Sequence, residues 1–103
     1  MATSILTPGQ TAADSSTFTV ADGASLLVSI YTDDGLDMPS GPVLSLKRAD
    51  INGNFINVAT AGFGRITFTW GCQQILITSP GTYKVTRPDI SVWGANIGVQ
   101  TGS

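Results

Sequence analysis

Histidine and glutamate are both absent from this chain, and each absence closes a route to chemistry. Without histidine the chain lacks the side chain that most often accepts a proton near neutral pH and most often binds a transition metal. Without glutamate it loses a strong helix former as well as a second kind of carboxylate, so its acids are all Asp. Cysteine is nearly absent too. The single Cys72 cannot form an internal disulfide, so the fold must hold without covalent staples, and folding in a reducing cytoplasm is expected. Charge of either sign is scarce, at 12% of residues and a net −2. Its cations, Lys47, Arg48, Arg65, Lys84 and Arg87, are too few for the basic footprint that a nucleic-acid backbone demands. Long apolar runs are missing as well. No segment approaches the roughly 18 residues of a membrane span, and Met1 to Ala13 has no basic region followed by an apolar stretch. Neither a membrane anchor nor a signal peptide is therefore expected.

What the chain does have is β-branched residues and glycine. Thr, Ile and Val together occupy more than a quarter of the positions, and 12 glycines punctuate them. Branching at Cβ suits the pleated surface of a sheet and disfavours helix. Phe18 and Val20 alternate with Thr17 and Thr19; Asp22-Gly23 follows as a turn, and Leu26, Val28 and Ile30 resume the alternation, which predicts a hairpin. A loop dense in Gly and Pro is expected over Asp33 to Pro42. Leu44 and Leu46 alternate with Ser45 and Lys47, and the Asn52-Gly53 turn leads into Phe55 to Val58 as a second hairpin. Arg65 to Trp70 puts Ile66, Phe68 and Trp70 on one face, Ile75 to Ile77 reads as a more buried strand, and Tyr83 and Val85 oppose Lys84 and Thr86 before Pro88. Ile90, Val92, Ile97 and Val99 carry the last apolar stretch.

The expected fold is thus all-β: a single β-sandwich, immunoglobulin-like or jelly-roll, of about seven or eight short antiparallel strands. Residues 17–103 would form the sandwich. Residues 1–16, which mix Thr, Pro, Gly, Gln, Ala and Ser without a sustained period, would form an extended N-terminal arm.

Each candidate site in the chain has a simpler structural role beside the chemical one. A carboxylate pair of the glycosidase kind could be drawn from Asp22, Asp34, Asp37 or Asp89, but each stands beside or near Gly or Pro and reads better as a turn residue. Cys72 has no histidine to activate it and is expected to be a small packed side chain. The Asp33, Asp34 and Asp37 cluster and the Asp50, Asn52, Asn54 spacing offer the hard oxygens that calcium prefers, yet neither completes an EF-hand. Trp70, Trp93, Tyr31, Tyr83 and Phe63 could form a sugar-stacking platform, with a core role the simpler expectation for most of them. Trp93 is the exception, because Ser91-Val92-Trp93-Gly94-Ala95 suits a subunit contact. No catalytic residue, cofactor or metal is assigned, and no enzyme activity is expected.

The run Ser79-Pro80-Gly81-Thr82-Tyr83-Lys84-Val85-Thr86-Arg87-Pro88 resembles the Gly-x-Tyr-x-Val strand of immunoglobulin-like domains, where the tyrosine fixes a corner between strands. With Val20-Ala21-Asp22-Gly23-Ala24 and Asn96-Ile97-Gly98-Val99, the chain resembles small structural proteins of tailed bacteriophages over most of residues 15 to 100. That resemblance implies a virion protein of the head decoration or cement type, folded in the host cytoplasm. It would bind the major capsid protein or other virion subunits and assemble as a dimer or trimer. A tail- or fibre-associated virion protein and a carbohydrate-binding module are the alternatives. Under this reading the arm and the Asp33 to Pro42 loop make the contacts, with Ile5, Leu6, Asp34, Leu36, Met38 and Trp93 as interface residues.

Overall fold

A computed structural model describes residues 2–35, 38–60 and 64–102. Strands follow one another along the chain: β1 (Thr3–Gly9), β2 (Ala13–Asp14), β3 (Phe18–Val20), β4 (Leu26–Thr32), β5 (Leu44–Ala49), β6 (Phe55–Asn57), β7 (Ala59–Thr60), β8 (Gly64–Arg65), β9 (Thr67–Phe68), β10 (Gln74–Ile77), β11 (Gly81–Arg87) and β12 (Ile97–Thr101). Eight of these have three residues or more and make up the frame, and the rest are two-residue pairings at its margins. One 3₁₀ turn, Ser91–Trp93, interrupts the strands.

Two antiparallel sheets stack into a β-sandwich, as the alternation predicted. One runs β1-β12-β4-β10. In the other, β11 and β5 are the centre, β2 and β3 pair with the outer side of β11, and β6 and β9 pair with the outer side of β5. Period-2 side chains meet between the layers: Val28, Ile30, Ile97 and Val99 from the first sheet face Leu44, Leu46, Tyr83 and Val85 from the second, with Phe68 and Ile90 filling in. Each of these side chains removes its apolar surface from water, a contribution of about 1.5–3 kcal/mol apiece before entropy is counted. Tyr83 also keeps its hydroxyl satisfied, donating to the Ser79 carbonyl at 2.7 Å. That bond ties the start of β11 to the turn before it, the corner role that the Gly-x-Tyr-x-Val resemblance implied.

Turn chemistry explains one hairpin and corrects another. Between β5 and β6, Asp50 N–H donates to Asn54 O and Gly53 N–H to Asp50 O, and the Asp50 carboxylate accepts the N–H groups of Asn52 and Asn54 at 2.8 and 2.9 Å. Gly53, at φ 82°, takes the left-handed position that closes such a loop. The oxygen-rich spacing of Asp50, Asn52 and Asn54 is therefore spent on a turn. By contrast, Asp22-Gly23 does not join partners. β3 pairs with β11 and β4 pairs with β12 and β10, so this turn carries the chain from one sheet to the other. A tight type I′ hairpin needs positive φ at both central residues, and only Gly23 has it.

Residues 1–16, expected as a separate arm, are built into both sheets as far as they are described. β1 pairs with β12 from Thr3↔Thr101 to Gly9↔Ile97, and β2 pairs with the end of β11. The chain thus laces one side of the sandwich shut. Ile75 to Ile77, expected to be well buried, forms instead an edge strand in which Ile77 is buried and Leu76 faces solvent.

Candidate interaction surface

Strand registers gather several loops at one end of the sandwich. Thr32 pairs with Ile97 and Leu44 with Phe68, while Gln74 pairs with Ser29. The connection of residues 33–43, the turn of residues 69–73 and the connection of residues 88–96 must all leave the sheets on that side. Hydrogen bonds tie the 33–43 and 88–96 connections together, fix the latter to the N-terminal segment, and close the 69–73 turn on itself. Asn96 donates to Asp33 at 2.8 Å, Ile90 N–H donates to Gln10 O at 2.8 Å, and Thr69 and Cys72 exchange backbone bonds around Trp70-Gly71. Asp89 accepts the Ser91 N–H at 2.9 Å, and hydrogen bonds from Ser91 hold its carboxyl below the ordinary range.

This end is rich in uncovered apolar surface. Trp70 is 60% exposed, Val92 80%, Trp93 43% and Val43 42%. Trp93 is nevertheless seated. Its indole lies on Gly41, whose φ of 130° and lack of a side chain leave room for the ring; any Cβ there would collide with it. An aromatic that is held in place while half its surface stays in water loses little entropy on meeting a partner.

The residues expected at an interface divide between this end and other places. Trp93 is exposed here, and Asp34 is exposed in the turn that follows β4. Met38 is a correction: it is 1% exposed and belongs to the core cluster, its apolar side chain packed among the buried residues instead of standing in solvent. Ile5 and Leu6 lie on β1, half-buried and packed against the core. Leu36 falls outside the described residues, as do Asp37 and Phe63. Of the aromatic platform, Tyr83 is buried, and Tyr31 is half-buried with its hydroxyl 2.7 Å from Ser4 Oγ; Trp70 and Trp93 reach the surface at the same end. Cys72 is exposed on the tight turn beside Trp70, contrary to the packed role expected of it.

Arg87 was missed by sequence reasoning. It is 4% exposed, in phase with Tyr83 and Val85 on the inner face of β11. Its Nε donates to Thr11 O at 2.8 Å, and one terminal nitrogen donates to Thr7 O and Ile97 O at 3.0 and 2.7 Å. Burial pushes its pKa down, but a guanidinium remains charged in any accessible pH. The alternation pointed inward; its charge argued for solvent, and alternation won because three carbonyls were within reach of one rigid fork.

No family model matches this chain, and no curated protein matches it. Among solved structures it resembles the SPBc2 prophage-derived protein YomS at a TM-score of 0.62 with 10% identity, over 98% of this chain and 88% of that one. A weaker likeness, to Bacillus endospore appendages that form a family of disulfide-linked pili, has a TM-score of 0.34 and 13% identity over 93% and 84% of the two chains, too low to show shared topology. At such identities what is shared with the prophage-derived protein is the fold, an all-β sandwich spanning nearly the whole chain.

Proposed function

We propose that this chain is a non-catalytic structural subunit of a bacteriophage virion, of the kind that decorates or cements an assembled head. The observation that carries the proposal is the loop end at which Trp70 and Trp93 stand uncovered, in a domain whose fold is shared with a prophage-derived protein. Trp is the residue most enriched among binding hot spots, and low surface charge suits a surface that spends its life covered. The mechanism is geometric. The loop end docks on the major capsid protein or a neighbouring virion subunit, and many copies acting in parallel convert modest single contacts into collective resistance to internal pressure.

Assembled empty particles provide the test. Co-sedimentation is expected for the native protein, with affinity lowered at least about thirtyfold, or roughly 2 kcal/mol, by Trp70→Ala combined with Trp93→Ala. Undiminished binding by that double variant removes the loop end from the mechanism. Binding to tails but not to heads would place the subunit elsewhere in the virion. The same two tryptophans also favour a second reading, stacking on a sugar ring. Saturable quenching of tryptophan fluorescence by a polysaccharide, without particle binding, would establish it instead.

A further inference from the structure

Among the described residues one sheet edge of the sandwich has none of the usual protection. β1, at the far edge of the same sheet, carries Pro8 and two breaks in register. In the second sheet the outer strands are only two or three residues long, and β2 bears the Asp14 carboxylate paired with Lys84. β10 differs from all of them. It is the open end of its sheet, and from Trp70 through Tyr83 the sequence contains no charged residue. Charge, proline and bulges are how natural edges avoid pairing with other chains, and their absence here exposes a template.

The backbone of β10 is presented for such pairing. Ile30 N–H donates to Gln73 O at 3.0 Å, and the register continues Gln74↔Ser29, Ile75↔Val28, Leu76↔Leu27, Ile77↔Leu26. Hydrogen-bonded pairs alternate in an antiparallel ladder, so Ile75 and Ile77 turn their N–H and C=O groups to β4. Gln74, Leu76 and the following Thr78 then turn theirs outward, to the open edge.

Side chains on this edge are self-complementary. Gln74-Ile75-Leu76-Ile77-Thr78 reads nearly the same in both directions, with apolar residues between two polar ends. Leu76 is 60% exposed on the outer face, while Ile75 and Ile77 line an apolar groove of about 150 Å³ shared with Leu46, Val58, Ile66 and Tyr83. Around a two-fold axis any charge would lie near its own copy, and an uncharged stretch is the composition that tolerates this.

We infer that β10 pairs antiparallel with β10 of a second copy, with Leu76 opposite Leu76 on the two-fold axis. Gln74 then stands opposite Thr78 of the second copy, and Ile75 opposite Ile77 at the mouths of the two grooves. The two four-stranded sheets become one continuous sheet. This inference rests on the edge and its register, independent of the virion reading, and it leaves the loop end of each copy free.

Sedimentation equilibrium over a dilution series reads the stoichiometry directly. The native chain is expected to approach twice 10.7 kDa. Leu76→Lys, which sets two ammonium groups against each other, is expected to stay at the monomer mass with an unchanged far-UV spectrum. Crosslinking reads the register. In a Cys72→Ser background, Leu76→Cys should oxidise to a covalent dimer, since hydrogen-bonded partners sit about 5.5 Å apart at Cα, within disulfide reach. Gln74→Cys in the same background should not, because the two copies of residue 74 lie four residues apart along the strand. A native monomer at every concentration, a dimer indifferent to Leu76→Lys, or crosslinking at 74 as ready as at 76 overturns the inference.

Discussion

The two long sides of the sandwich are closed in opposite ways. On one side β1 completes the first sheet, the chain crosses over, and β2 and β3 complete the second, so a single continuous segment stitches the layers together. Ser15, between β2 and β3, anchors the segment to β11 after the crossing: its N–H donates to Val85 O at 2.8 Å and its Oγ accepts the Val85 N–H at 2.9 Å. Arg87 bolts the same side from within, reaching from β11 to carbonyls of the N-terminal segment and of β12. On the other side the turn of residues 69–73 also carries the chain between the layers, from β9 to β10, but no buried cation among the described residues reinforces it, and an apolar groove lies between β10 and the strands around β5. Both sides have a covalent crossing, so what distinguishes the closed one is the buried Arg87 guanidinium and the strand pairing of the N-terminal segment with both sheets. On the closed side hydrogen bonds hold the layers together, while on the open side apolar side chains line a groove that reaches solvent.

Removing residues 2–12 should break the contrast most severely. β1 and the carbonyls of Thr7 and Thr11 go together, so the cooperative thermal transition is expected to disappear; a truncated protein that melts like the native one would mean the stitch is dispensable. Arg87→Met comes next. It leaves Thr7, Thr11 and Ile97 carbonyls without their charged donor, at a cost of about 2–4 kcal/mol after the relief of no longer burying a charge. Urea titration should show a lower midpoint with an unchanged slope. Arg87→Lys should recover little of this, since an ammonium cannot span the three acceptors as a planar fork does.

Met38→Ala, in the core at the loop end, should cost about 2–5 kcal/mol by the same measurement, while Leu76→Lys on the open side should stay within about 0.5 kcal/mol for the monomer. A reversal of that order would mean Met38 is not packed as described.

The smallest effect concerns pH. Hydrogen bonds from Lys84 and Thr86 hold the Asp14 carboxyl below the ordinary aspartate range. Because the folded value is depressed, the stabilisation is present above the unfolded pKa of about 3.9 and is lost as pH falls through the folded value. Solvent screens this half-exposed pair, so the loss should amount to about 0.5 kcal/mol, and Lys84→Met should flatten the acid limb of a plot of stability against pH.

Much of this architecture was legible in the residues, and the division between what was and what was not is physical. Alternation identified β4, β5 and β11 and assigned Leu44, Leu46, Tyr83 and Val85 to the interior, since period-2 exposure is a local property of the strand. Asn52-Gly53 was readable because its turn geometry is local as well. Pairing partners are not local. Asp22-Gly23 has hairpin composition yet changes sheets, and Thr3–Gly9 lacks a hydrophobic period yet finds β12 more than ninety positions away in the sequence, at Thr3↔Thr101. At the candidate surface, Trp93 stood out by its neighbours in the chain. The seat beneath it, Gly41, and the second tryptophan at the same end emerged only once the registers brought three connections together. Met38 misled because a Gly- and Pro-rich loop reads as solvated throughout, whereas this one folds its methionine inward.

The pairing of β1 with β12 governs how this domain can be made. During synthesis β1 leaves the ribosome long before the strand it pairs with, since among the described residues its partner in the sheet is β12. Non-local pairing of this kind is slow to nucleate because loop closure precedes any reward. The two sheets can therefore close on the Arg87 side only after Thr101 has emerged, so the N-terminal segment is among the last parts of the sandwich to be locked in place.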